Sequence, residues 1–265
     1  MKVFISADIE GISSTVSWEE CTPGNVNYPR ATEQMTREVL AACEGAYDAG
    51  ADTILVKDAH GPGTNIDIFQ MPEYVTLRRR WNEDPFCMVE GLDSTFDAAL
   101  FVGYHSAAGQ NGNLLSHTIS QRPFSITING ITASEFLIYS YAAAYLGVPS
   151  VYLSGDLQLC QASQNLYPNL ITTAVKSGDA FAAECMSPNK AIQLIRQDVK
   201  RSLSQPFKQT LIKLPNHFLV ELKFKDHAHS AKPSHYPGMK RKDSHTVIFE
   251  HDDYLEILRM ILFVL

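Results

Sequence analysis

Two carboxylates separated by one residue, Asp8-Ile9-Glu10-Gly11, follow an apolar run from Val3 to Ala7. The run reads as a buried strand, and because side chains alternate along a strand, positions 8 and 10 face one side. Two acids side by side at the carboxyl end of a strand repel each other unless a cation neutralises them. The bland alternative is a helix cap or a surface ion pair. Two histidines stand in comparable places: His60 in Lys57-Asp58-Ala59-His60-Gly61, after a run from Thr53 to Val56, and His105 in Gly103-Tyr104-His105-Ser106, after one from Ala98 to Val102. One histidine after a strand is more often structural than a ligand. Acid, histidine and histidine ending successive parallel strands would gather at one edge, where ligand sites of open α/β sheets lie. A mixed imidazole and carboxylate set there is the usual way to hold zinc or a similar divalent ion.

Glu135, near the start of a helix that follows the Asn129-Gly130 turn, has two readings. It can favour the helix dipole from the first turn, or point into the same edge as a further ligand. With it the set becomes Asp8, Glu10, His60, His105 and Glu135, more donors than one tetrahedral ion needs. Such a set suits two ions about 3.5–4 Å apart sharing a bridging carboxylate, as in two-metal hydrolases. The same donors would also accept manganese, cobalt or iron. His117, in Leu115-Ser116-His117-Thr118, is then left over, and a histidine beside the metals can shuttle a proton or stabilise a developing oxyanion. Ser116 invites a serine-nucleophile reading, but adjacent residues rarely form a productive pair and no Gly-x-Ser-x-Gly elbow accompanies it. Tyr104 is read as a packed aromatic, with substrate contact as the alternative. His227, His229 and His235 are read as an adventitious group, and Cys160 and Cys185 as core thiols.

The elements that must position these residues alternate between short β-branched runs and longer helical patterns. Tyr28 to Ala49 has helical periodicity and stops at Gly50. Val75 to Leu77 reads as a weak strand, and Phe124 to Ile131 as a hairpin turning at Asn129-Gly130. A helix follows from Thr132 to Leu146, then a strand from Val151 to Ser154, a helix over Leu157–Leu166 and a strand from Ile171 to Val175. Ser187-Pro188 opens a helix running to Leu203. The tail gives strands at Phe218–Phe224 and Thr246–Glu250 and a closing helix over Asp252–Leu262. These patterns predict an α/β fold: a three-layer αβα sandwich around a largely parallel or mixed sheet, plus a smaller C-terminal α+β portion. The expected division is a metal-binding catalytic domain over 1–205 and a smaller domain over 206–265 that makes oligomer contacts.

Composition narrows the class. The 265 residues are 45% hydrophobic and 19% charged, enough to close a core. A net charge of −7 argues against a nucleic-acid partner, which usually meets a basic stripe. The basic runs Arg78-Arg79-Arg80 and Lys240-Arg241-Lys242 are short and read as solvated loops. Five cysteines with no CxxC pair fit neither a disulfide framework nor a zinc ribbon, and suit a reducing cytoplasm. No apolar stretch is long enough to span a membrane, and Met1-Lys2 leads into a run too short for a signal peptide.

The motifs together carry a resemblance. Ser6-Ala7-Asp8-Ile9-Glu10-Gly11-Ile12-Ser13, Asn27-Tyr28, Lys57-Asp58-Ala59-His60, Met88-Val89-Glu90-Gly91-Leu92-Asp93, Leu100-Phe101-Val102-Gly103-Tyr104-His105, Ser116-His117-Thr118 and Ser187-Pro188-Asn189-Lys190-Ala191 resemble, in order and spacing, the zinc-dependent D-aminopeptidase family of bacterial dipeptide-transport operons. The resemblance implies that Asp8, Glu10, His60, His105 and Glu135 bind two zinc ions, with Asp8 as bridge, and that His117 is the catalytic histidine. It further implies a ring-stacked homodecamer enclosing its active sites, and hydrolysis of N-terminal D-residues such as D-Ala from short peptides. The D-preference rests on the resemblance alone. A two-metal hydrolase of another amide or ester and a non-catalytic peptide binder are the competing readings. The chain departs from the family pattern at Gly155-Asp156-Leu157, where the family carries Gly-Asp-Asp, which puts recognition of the substrate amine in question and makes Asp156 a candidate contact. The tail also ends a turn or two short of the family's.

Overall fold

The computed structural model describes residues 1–265. Its strands are β1 (Lys2–Ala7), β2 (Thr53–Asp58), β3 (Val75–Arg78), β4 (Ala98–Tyr104), β5 (Pro123–Ile128), β6 (Ile131–Thr132), β7 (Ser150–Asp156), β8 (Ile171–Asp179), β9 (Ala182–Cys185), β10 (Phe218–Phe224), β11 (Lys240–Arg241) and β12 (Thr246–His251). Its helices are α1 (Trp18–Cys21), α2 (Tyr28–Asp48), α3 (Glu135–Tyr145), α4 (Leu157–Leu166), α5 (Pro188–Ser204) and α6 (Tyr254–Val264).

The central strands β1, β4 and β7 are apolar on both faces, as strands covered on both sides must be. They lie in a seven-stranded sheet of order β3-β2-β1-β4-β7-β8-β9. Every pairing in it is parallel except β8 with β9, so the sheet is mixed. Side-chain alternation assigns the two faces. Val3, Ile5 and Ala7 pack with Met35, Val39 and Ala42 of α2 and Ile195 and Val199 of α5. Phe4, Phe101 and Tyr104 pack on the other side with Phe136 and Leu137 of α3 and Ile257 and Ile261 of α6. Parallel register sets Ala7 opposite both Asp58 and Val102, so β1, β2 and β4 end at one level. That alignment brings the three chemical motifs to one edge.

The second sheet has the order β11-β12-β10-β5-β6. The β5–β6 hairpin turns at Asn129 (φ 52°) and Gly130 (φ 79°), the left-handed pair a tight hairpin requires. It leaves the parallel sheet and pairs antiparallel with β10, with Val220 opposite Ile128 and Leu222 opposite Ile126. Ile126 and Ile128 are buried while the alternating Ser125 and Thr127 are only partly so, the one-sided pattern of an antiparallel sheet with a wet face. The second sheet thus draws strands from both sides of residue 205. The closing helix α6 packs on α3, and the Tyr254 hydroxyl donates to the Ile138 carbonyl at 2.8 Å.

Helix α1 and strand β9 escape the sequence reading, each being only four residues long. One expectation is corrected by β9: Cys160 is buried, whereas Cys185 is exposed on this edge strand. No helix is long and apolar enough to cross a membrane.

Candidate metal centre

The turn after β1 is pressed against the end of β4. Asp8 N–H donates to the Val102 carbonyl (2.9 Å) and Gly11 N–H to the Gly103 carbonyl (2.8 Å). A Cβ on Gly11 would lie 1.8 Å from the Tyr104 carbonyl oxygen, so only glycine permits this approach. Gly103 answers from the other side with φ +72°. The result places Asp8 and Glu10, both almost wholly buried, beside His105.

Each histidine is oriented by a backbone carbonyl. His60 Nε2 lies 2.9 Å from the Cys21 carbonyl, His105 Nδ1 lies 3.0 Å from that of Ser106, and His117 Nδ1 lies 2.8 Å from that of Leu115. A carbonyl only accepts, so those nitrogens carry the protons and the opposite nitrogens are turned toward acids. His60 Nδ1 faces Glu10 at 3.0 Å and Asp8 at 3.4 Å. His105 Nε2 faces Glu135 at 3.1 Å and Asp8 at 3.5 Å. His117 Nε2 is 3.7 Å from Glu135.

Glu135 opens α3, and its carboxylate points inward, accepting from Ile119 N–H at 2.6 Å. The N-cap task falls to Ser134, which accepts from Leu137 N–H. Of the two readings of Glu135, the structure adopts the inward one. The His117 ring stacks on that of His105 at 4.3 Å, with the Trp18 indole edge-on against it at 5.4 Å.

The electrostatics of this cluster are those of a cation site. Burial opposes charge on His60, yet Glu10 and Asp8 outweigh it and push the imidazole up to about 12. His105, opposed by burial but drawn by Glu135, is pushed up to about 10. Burial, with His105 alongside, holds His117 below its ordinary value. Burial and the adjacent Glu10 raise Asp8. Glu10 Oε2 and His105 Nε2 are buried and, although close to His60 and Glu135, make no well-aligned hydrogen bond, a rare and costly state for buried polar atoms. The donor atoms of Asp8, Glu10 and His105 lie within 4.8 Å of one another, as do those of His105, His117 and Glu135. Oxygen and nitrogen donors in this number and spacing fit divalent metal.

The acids open into a cleft of about 500 Å³ walled by Trp18, Trp81, Met88 and Ile119. Tyr104 and Asp156 do not line it: Tyr104 takes the packed reading, and Asp156 is corrected as a candidate substrate contact. Tyr104 is fully buried with its hydroxyl 2.7 Å from Ser6 Oγ. Asp156, also fully buried, accepts from Ser106 N–H and Oγ and caps α4 through Leu159 N–H. Leu157 begins α4 exposed and away from the cleft lining. Ser116 Oγ donates to the Asn113 carbonyl, a turn contact. His227, His229 and His235 are exposed on turns. Trp18 and the Cys21 carbonyl escape the sequence reading, because a carbonyl leaves no residue-type signal and α1 is too short to show periodicity.

Comparison with known proteins agrees with this geometry. A family model described as D-aminopeptidase matches residues 1–263. The D-aminopeptidase of Bacillus subtilis (strain 168) is 30% identical over 264 residues, covering 99% of this chain and 96% of that protein. A solved structure of the Zn-dependent D-aminopeptidase DppA from Bacillus subtilis, described as a self-compartmentalizing protease, matches with a TM-score of 0.93 at 29% identity, over 100% of this chain and 96% of that one. The chain therefore belongs to the peptidase M55 family of D-aminopeptidases.

Proposed function

We propose that this protein is a binuclear zinc aminopeptidase that removes N-terminal D-amino acids, D-alanine among them, from short peptides and amides. Asp8, Glu10, His60, His105 and Glu135 would hold the ions. One observation carries the reading: three histidines each fix one nitrogen on a backbone carbonyl and turn the other toward buried carboxylates. When bound, zinc supplies Lewis-acid polarisation of the scissile carbonyl and activation of water near neutral pH. The chain's own residues do the rest. His117, held below its ordinary value chiefly by burial, presents Nε2 at the cleft wall to take a proton from the attacking water and return it to the leaving amine. Its Nδ1–H bond to Leu115 fixes the tautomer that this exchange needs. Trp18, Trp81 and Met88 exclude water around the substrate.

By likeness to the self-compartmentalizing relative, we infer assembly into a closed homo-oligomer, a decamer, that admits only short or unfolded chains. The highly exposed Phe69, Phe181 and Phe263 support a surface used in assembly. The five free thiols support a reducing cytoplasm as its compartment.

The test is hydrolysis of paired D-Ala and L-Ala p-nitroanilides by metal-quantified protein. The expected result is about two zinc per subunit and a kcat/KM for the D-substrate at least about tenfold above the L-substrate. No turnover of either by zinc-loaded protein, or preference for L-Ala, overturns the reading.

A further inference from the structure

Beneath the metal centre lies a buried cation that the reaction described above does not use. Lys176 sits on β8, opposite Asp156 of β7 in the sheet register, and is 5% exposed. Burying an ammonium is costly unless its protons are matched by acceptors. Its Nζ donates to two backbone carbonyls of one loop, Glu10 (2.5 Å) and Thr15. Asn113 Nδ2 donates to the same Glu10 carbonyl at 3.0 Å and lies 3.4 Å from Asp156. Asp156 in turn holds Ser106, whose own carbonyl orients the His105 ring. On the far side, Glu38 accepts from the Ser13 backbone and hydroxyl, fixing the middle of the same loop. The Glu10 and Thr15 carbonyls and the Ser13 amide of this loop are thus each held by a buried side chain.

We propose that Lys176 is a positioning residue for the metal centre: by clamping the carbonyls of Glu10 and Thr15 it sets where the Glu10 carboxylate stands. The geometry explains why a lysine is tolerated in the sheet interior. Glu10 lies in a turn outside the strand ladder whose Asp8 and Gly11 amides are held by β4, so its carbonyl is the point left to tie. A flexible ammonium with several donors can satisfy two carbonyls at once, and a residue of the same length without them cannot. Lys176 and Asn113 converge on one oxygen, so each removal loosens the same donor by a different amount. Groups behind metal ligands commonly set metal affinity in this way.

The inference rests on the proposed role of Glu10 as a metal ligand, and the experiment separates the two. Zinc affinity of chelator-stripped full-length protein is measured by competition with a chromophoric chelator, beside its melting temperature. Lys176→Met is expected to weaken zinc binding about 10- to 100-fold, and Asn113→Ala by a smaller factor. Glu10→Gln serves as control. If the parent binds no zinc, or Glu10→Gln binds it as tightly as the parent, the ligand reading itself fails. If Glu10→Gln loses affinity while Lys176→Met lowers only the melting temperature, Lys176 is a general brace and the proposal is overturned. Should Lys176→Met not fold, Asn113→Ala decides: a loss of at least about threefold supports the clamp, and parental affinity overturns it.

Discussion

Replacing His117 with alanine separates chemistry from metal binding. The substitution removes a ring stacked on His105 at 4.3 Å and edge-on to Trp18 at 5.4 Å. Each aromatic contact is worth about 0.5–1.5 kcal/mol, so folding stability should fall by roughly 1–3 kcal/mol. A domain stable by about 5–15 kcal/mol remains almost wholly folded after that loss, so unfolding cannot account for a large fall in activity. Loss of a positioned acid–base group costs about 10²–10⁴ in rate, equivalent to about 2.7–5.4 kcal/mol of barrier. The assay is kcat for D-Ala p-nitroanilide at saturating substrate and zinc, with metal content measured on the same sample. The expected outcome is a kcat at least about 10² lower, with KM and zinc content near parental. His117→Gln, which refills part of the space but cannot shuttle a proton, should lose as much rate with less loss of stability. A kcat within about threefold of the parent would refute the acid–base role. A fall in zinc content matching the fall in activity would refute it differently, making His117 a ligand, as its grouping with His105 and Glu135 permits.

Two further outcomes follow from the buried Glu90 and from the turn that carries Asp8 and Glu10. Burial alone would raise Glu90, but hydrogen bonds from Arg78 and Asn82 N–H, with Lys57 at 3.7 Å, hold it below its ordinary 4.5. A carboxyl depressed in the folded state adds stability above its unfolded pKa and loses it as pH falls through the folded value. The melting-temperature gap between parent and Glu90→Gln should therefore be full at pH 7 and close below about pH 4.5; a gap constant down to pH 3 would contradict the assignment. Gly11→Ala must push the Asp8–Glu10 turn off the end of β4, and calorimetric titration should show zinc affinity lowered by at least about tenfold, with parental affinity counting against the close-approach argument.

The parallel sheet and its chemical edge were readable because they follow from two simple periodicities. Continuous apolar runs mark strands buried on both faces, and a polar residue just past such a run has one place to go. Asp8, Glu10, His60 and His105 all sit just past such runs. Glu135 was ambiguous for a physical reason: the first turn of a helix suits an acid whether or not it ligates anything. What resolves it is Ser134 taking the cap and leaving Glu135 to turn inward. The position of Asp156 was illegible for a similar reason, since an acid at a strand end can face a cleft or cap the next helix, and here it caps α4. Lys176 left a trace in the sequence, a cation among the uncharged residues from Ile171 to Gly178. Its carbonyl partners lie more than 160 residues away, and backbone acceptors carry no residue identity. The partner of the β5–β6 hairpin could not be chosen from the hairpin itself, because alternation reveals a wet face without naming the strand alongside.

That hairpin has a consequence for the chain while it is being made. The segment carrying His117 leads into β5, and β6 leads into Glu135, yet the strand that anchors the hairpin is β10 at Phe218–Phe224. At about 5–20 residues per second, a ribosome delivers β10 several seconds after Glu135. Asp8, Glu10, His60 and His105 all follow strands of the parallel sheet, but the segment bearing Glu135 rests on the second sheet. The half of the pocket that carries Glu135 is therefore tied to a strand made much later than the half that carries the other acids. A centre wired in that order makes one of its acids depend on a strand that lies far downstream in the chain.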